Sequence, residues 1–223
     1  MADSVSPGTL DVGDVRILVS CHKSSVIPDS DMFLPVHVGA RFADKALPGT
    51  VPDSDGDNIS GRNFSFSEMS GQYWAWKNLD ADKTPYVGQC HYRRFFCFDG
   101  KAHRANDHAQ IELPLLDEAA IAEYRLADEA LILDAIAQVD AIVPPRWSVA
   151  GVPTPHGPQN TIRSHMEAYE LVDHASFDLF LDVVEQRQPD YAPYVRRYLD
   201  GSEYIGYNCF ILRRDLFDEL CAY

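Results

Sequence analysis

The chain has 223 residues, 46% of them hydrophobic and 24% charged, with 34 acidic against 19 basic residues and a net charge of −15. That length and apolar content suffice for a sizeable core and exclude global disorder. So large a negative charge repels polyphosphate over most of the surface and excludes a nucleic-acid binder of the basic-patch kind, so any phosphate ligand must be held by a local cationic cluster.

Residues 1–13 are polar and acidic and read as a flexible leader without the apolar core of a signal peptide. VRILVSC (15–21) has the length and apolarity of a strand and is followed directly by His22 and Lys23; LPVHVGA (34–40) alternates like a second strand. A long Gly-, Pro-, Asp- and Ser-rich loop runs to Asn63. Ser65 and Glu68 then stand in capping-box relation, and Met69, Tyr73 and Trp76 recur at helical spacing, which predicts a helix over about 66–78 with Trp74 and Trp76 on different sides. YVGQCHY (86–92) is the next strand, residues 117–139 are helical, and DAIVPPR is a short strand stopped by two prolines. Phe177, Phe180, Leu181 and Val184 share a helical face; GYNCFILRR is a last strand and DLFDELCAY a last helix without a C-terminal cap, as expected of an excerpt from a longer polypeptide.

Strands alternating with helices predict a single α/β domain, a mixed or parallel sheet with helices on both faces. The five cysteines are scattered and lack zinc spacing, so free thiols in a reducing compartment are expected. No window reaches the roughly 18 apolar residues of a membrane span, and the expected location is cytoplasmic.

Ligands of open α/β sheets bind beyond the carboxyl ends of the strands. Two predicted strands end in candidate residues, one in His22-Lys23 and the other in His91-Tyr92-Arg93-Arg94. Paired guanidinium groups offer forked, permanently charged donors to a pyrophosphate; alternatively, one faces solvent and the other pairs with a surface carboxylate. Asp80-Ala81-Asp82 has the Asp-x-Asp form of a metal and sugar-diphosphate site, but it precedes its strand and reads as a solvated turn. The acidic loop from Asp53 to Asn58 lacks the glycine and the final glutamate of a calcium loop; Asp57 and Asn58 either meet a hydroxyl-rich ligand or belong to an unliganded surface loop. Glu68 is a capping carboxylate or a group that touches sugar and takes a proton. His165 and His156 are either general-base candidates or structural histidines.

The ordered phrases ILVSCHK, LPVHVGA, GDNISGRN, SEMSGQYWAWKNL, YVGQCHYRRFF, DAIVPPR and YNCFILRRDLFDEL resemble the bacterial capsule and exopolysaccharide glycosyltransferases whose hallmark is His-Tyr-Arg-Arg, over about residues 15–223. The resemblance implies a GT-A-like fold with a Rossmann-type nucleotide half (about 14–100) and an acceptor half (about 101–223). It implies an inverting galactofuranosyltransferase that uses UDP-galactofuranose and extends O-antigen, capsule or related glycans. By position it marks His22, Lys23, Asp57, Asn58, His91, Arg93, Arg94 and Asn208 for the nucleotide sugar, with Glu68 or His165 as catalytic base. The segment 151–165 follows the family only loosely. Partners implied are the nucleotide-sugar donor and a lipid-linked glycan acceptor at the inner membrane; no metal ligand is assigned, and a divalent cation, Mn or Mg, is left open. The arginines and Lys23 are expected to do the electrostatic work a metal does elsewhere. A non-catalytic sugar-nucleotide or glycan-binding module of a larger synthase is the competing reading, and a nucleotide-sugar hydrolase or phosphorylase a third.

Overall fold

A computed structural model describes residues 10–169 and 173–223. Residues 1–9 of the expected leader lie outside the described residues. Its last part, Val12–Asp14, forms a 3-10 turn in which the Asp11 carboxylate accepts from the Val12 N–H and the Asp14 carboxylate accepts from the Asp11 N–H. The chain forms two compact units, the first from residues up to Lys101 together with Leu113–Val143 and Asn208–Tyr223, the second from Ala102–Glu112 and Pro144–Tyr207. Residues 113–143 and 208–223 thus return to the unit built by the first hundred residues.

The first unit holds a six-stranded sheet made of β1 (Val15–Cys21), β2 (Phe33–His37), β3 (Val51–Pro52), β4 (Tyr86–His91), β5 (Ala141–Ile142) and β8 (Phe210–Arg213) in the order β3-β2-β1-β4-β8-β5. β1 to β4 run parallel, and β8 lies antiparallel to both β4 and β5. β1 is apolar because it is central: every residue but Arg16 is buried, as parallel strands covered on both faces require. Leu18, Val36 and Val87 meet Trp74 and Ala75 of α2 (Met69–Asn78) and Phe217 of α8 (Arg214–Ala222) in one core. Trp74 is in that core while Trp76 is half-buried under the Lys77 ammonium, so the two tryptophans do face different ways. Gly71 lets α2 lie close to β2; a Cβ there would meet Val38 Cγ1 at 2.9 Å.

Three expected boundaries change. The loop 44–63 contains β3, which pairs Val36 with Val51 and His37 with Pro52. The predicted helix 117–139 is two, α3 (Glu118–Glu123) and α4 (Glu129–Ala137), each started by an aspartate, Asp117 and Asp128, whose side chain accepts a backbone N–H of the first turn. The predicted helix 66–78 begins three residues late and is preceded by a separate turn, α1 (Asn63–Phe66).

The second unit contains the ribbon β6 (Trp147–Ser148) and β7 (Glu203–Tyr204) with α5 (Ile162–Ala168), α6 (His174–Arg187) and α7 (Ala192–Leu199). Its core joins Trp147, Val149, Val152, Ile162, Phe177, Leu181 and Leu199. Of the four residues expected on one helical face, Phe177, Leu181 and Val184 are buried, whereas Phe180 is exposed. Among the described residues no helix is long and apolar enough to cross a membrane.

Candidate active site

Parallel register brings the carboxyl ends of β1, β2 and β4 to one edge, with Ser20 opposite His91 and Cys21 opposite His37. The antiparallel β8 starts at the same edge, Phe210 opposite Gln89, so Asn208 sits there too. At the end of β4 the His-Tyr-Arg-Arg phrase is a tight turn rather than more strand: the Arg94 N–H donates to the His91 carbonyl at 2.7 Å and the His91 N–H to the Arg94 carbonyl at 3.3 Å. The Tyr92 N–H donates to the Ser20 carbonyl at 3.2 Å and ties the turn to β1.

Tyr92, which sequence reasoning passed over as a strand residue, is the buried centre of the cluster. The His22 ring meets it edge-on at 5.1 Å, the His91 ring lies 4.3 Å away, and its hydroxyl is 3.4 Å from His22 Nε2. The Lys23 ammonium and the Arg93 guanidinium each approach its ring, at 5.5 and 5.2 Å. Cation–π attraction of this kind fixes where two cations stand without neutralising them. Burial, then Arg93 and Arg94, push the His91 pKa down to about 4 against the pull of Glu68, with His22 adding to the depression. His91 is therefore neutral near pH 7, and its buried Nδ1 has no hydrogen-bond partner among the described residues.

Glu68 does not close a capping box. Ser65 lies within α1, Ser67 turns to φ 46° and ψ −133°, and Glu68 precedes α2 with helical backbone and no side-chain cap bond. Its Oε1 instead accepts from Asn208 Nδ2 at 2.8 Å. A carboxylate and a cationic cluster thus share one sheet edge. Beside them a shallow groove of about 240 Å³ is lined by Cys21, Lys23, Ser24, Pro35, Gly49 and Thr50. It is smaller than the roughly 300–1,000 Å³ of a closed ligand pocket.

The sequence model of a domain of unknown function, DUF4422, matches residues 16–223. The chain belongs to the DUF4422 family. No curated protein matches it. The apo structure of WbbM, a bifunctional glycosyltransferase, superposes with a TM-score of 0.80 at 28% identity over 94% of this chain. The DUF4422 chain spans 35% of that protein. Its fold is accordingly the mixed α/β class of the GT-A-like type, with a mostly parallel central sheet flanked by helices.

The DUF4422 fold does not gather every residue singled out in the sequence. Asn58 spends its amide on the Ser54 and Gly56 carbonyls, at 2.8 and 2.9 Å. Asp57 accepts from the Tyr73 hydroxyl at 3.3 Å, and its backbone exchanges bonds with the Asn78 side chain. Asn78 ends α2, and ten residues of helix rise place it about 15 Å from Glu68. Asp80 caps the following turn, accepting from the Asp82 N–H and pairing with Lys83. His165 belongs to the second unit, where it is only 4% exposed and meets Trp147 and Tyr169 edge-on at 5.5 and 5.0 Å. Burial, then His108, lowers its pKa, and its Nδ1 is buried without a partner among the described residues. His156 lies in the neighbouring tight turn, its N–H donating to Thr154 Oγ1.

Proposed function

We propose that this DUF4422 domain is an inverting glycosyltransferase that moves galactofuranose from UDP-galactofuranose onto a lipid-linked glycan acceptor, extending a bacterial surface polysaccharide at the cytoplasmic face of the inner membrane. The observation that carries the reading is the sheet edge itself: in a chain of net charge −15, His22, Lys23, Arg93 and Arg94 collect at adjoining strand ends, with the Glu68 carboxylate beside them. The resemblance to WbbM supports the transferase class.

In this reading the donor lies across the strand ends, its base along the groove beside Lys23 and its diphosphate against the turn. Arg93, Arg94 and Lys23 stabilise the charge that grows on the diphosphate as the bond to the sugar breaks, the interaction that accelerates transfer when it strengthens in the transition state. Neutral His91 can donate a hydrogen bond without adding charge. The acceptor hydroxyl oxygen forms a new bond to the anomeric carbon from the opposite face. The carbon–phosphate oxygen bond breaks, its electron pair leaves with UDP, and the hydroxyl proton passes to Glu68, whose other oxygen is steadied by Asn208. The turn after β4 presents two guanidinium groups, and the Lys23 ammonium reaches it from the end of β1, so these cations repel a divalent ion from the place given to the diphosphate.

UDP release from UDP-galactofuranose, followed with and without a glycan acceptor, tests the reading. Acceptor-dependent release that survives chelator is expected. Binding without turnover would make the domain a sugar-nucleotide binding module, acceptor-independent release would make it a hydrolase, and loss on chelation with rescue by manganese would overturn the arginine mechanism.

A further inference from the structure

We infer that Asp53, acting through Ser70, Asn63 and Ser67, is the positioning residue for Glu68, an inference that rests on the transferase reading. Asp53 is completely buried, and its two oxygens accept four hydrogen bonds: from the Gly39 and Ala40 N–H groups at 2.8 and 3.0 Å, and from the Ser60 and Ser70 hydroxyls at 2.5 and 2.6 Å. A buried carboxylate without a cation needs such a full set of donors, and here they come from the turn after β2, the segment before α1 and the first turn of α2. Asp53 therefore ties together the three segments that surround the start of α2.

The chain of bonds then leads to Glu68. Ser70 Oγ lies 2.6 Å from Asp53 Oδ2 and 3.0 Å from the Ser67 carbonyl; with its one proton on the shorter contact to the charged group, its oxygen accepts from Asn63 Nδ2 at 2.8 Å. The same Asn63 amide group donates to the Ser67 carbonyl at 2.7 Å. Gly39, at φ 71°, leaves the space Asn63 occupies, since a Cβ there would lie 2.7 Å from Asn63 Oδ1. Ser67, so held, adopts φ 46° and ψ −133°, a backbone region that non-glycine residues avoid unless their surroundings over-determine it. That turn breaks the helix between Phe66 and Met69 and sets Glu68 where Asn208 meets it. Without the network the unstrained course is continuous helix from α1 into α2, which rotates Glu68 about the axis and withdraws its carboxylate from Asn208.

The test uses the whole chain with Ser70→Ala and Asn63→Ala, neither residue being part of the cluster that would touch substrate, with Ser70→Thr to keep the hydroxyl and Glu68→Gln as reference. A kcat loss of about ten- to a hundred-fold is expected in the two alanine variants, the scale of a misplaced catalytic group. KM for UDP-galactofuranose should stay within about twofold, as for an effect on the transition state alone. Ser70→Thr should restore most of the rate, and crystal structures of the alanine variants should show the Glu68–Asn208 contact broken. Wild-type kcat in both alanine variants, while Glu68→Gln is crippled, overturns this inference and leaves the transferase reading standing. An intact Glu68–Asn208 contact in the variant structures overturns it whatever the activity, and a Glu68→Gln protein with full turnover removes the base assignment on which it rests.

Discussion

Arg93 and Arg94 leave a turn closed on itself by backbone bonds; both act on His91, but Arg93 lies over Tyr92 while Arg94 also acts on Cys209. If both hold the diphosphate, alanine at either should weaken UDP about ten- to a hundred-fold by calorimetry, the value of one charge-assisted hydrogen bond, roughly 1.5–3 kcal/mol. Lysine keeps the charge and loses the fork, so Arg93→Lys should recover only part of the affinity. Glu68→Gln should cost about 10²-fold or more in kcat with UDP affinity unchanged. At this scale the sequence was half legible. The adjacency of His91, Arg93 and Arg94 is visible in the letters, and the rule that parallel strands put their ends on one edge brings His22 and Lys23 to them. Asp53 was not, since a serine-rich acidic loop gives no sign that one of its carboxylates is buried under four donors from distant segments.

Among the elements, α2 begins directly after the site's carboxylate, Glu68, and is placed by close contact with the sheet. A methyl group at Gly71 would meet Val38 Cγ1 at 2.9 Å and Val36 Cγ1 at 3.4 Å. Gly71→Ala should therefore lower stability by about 1–3 kcal/mol in urea titration, the usual cost of overpacking, and should lower turnover by lifting Glu68. A variant as stable and as active as the parent would show that α2 yields without consequence. The helix was readable from Met69, Tyr73 and Trp76, but its start was not. Ser65 and Glu68 fit the capping pattern, and the rule fails because the Asn63 amide holds Ser67 and Ser70 while Asn208, from the far end of the chain, takes the Glu68 carboxylate. Strands β1, β2, β4 and β8 were legible because buried parallel and central strands are apolar runs; the two-residue strands β3, β6 and β7 are too short to leave a pattern.

For the molecule as a whole, stability should depend on pH through the histidines that burial, full or partial, keeps neutral. Burial depresses the pKa of His37, His91 and His165, that of His91 to about 4. Between pH 6.5 and the folded value the unfolded chain binds protons that the folded chain refuses, so stability is complete above about pH 6.5 and falls as pH drops through that window. Thermal melts at pH 7, 6, 5 and 4 should show this, and His91→Gln should flatten the curve if the imidazole contributes as argued; an unchanged slope would remove it. Burial also raises all five thiols, Cys21 and Cys209 to about 11. Alkylation at pH 8 should accordingly be slow until the chain is unfolded, because the thiolate is the reacting form.

Two backbone bonds span the ends of the four-residue phrase at the close of β4. Its geometry therefore depends on how many residues it contains before it depends on which ones. A conservative replacement within it changes one interaction, whereas adding or removing a single residue swings Arg94 and everything after it to a new heading. Length, more than lettering, is what this corner of the molecule has to keep.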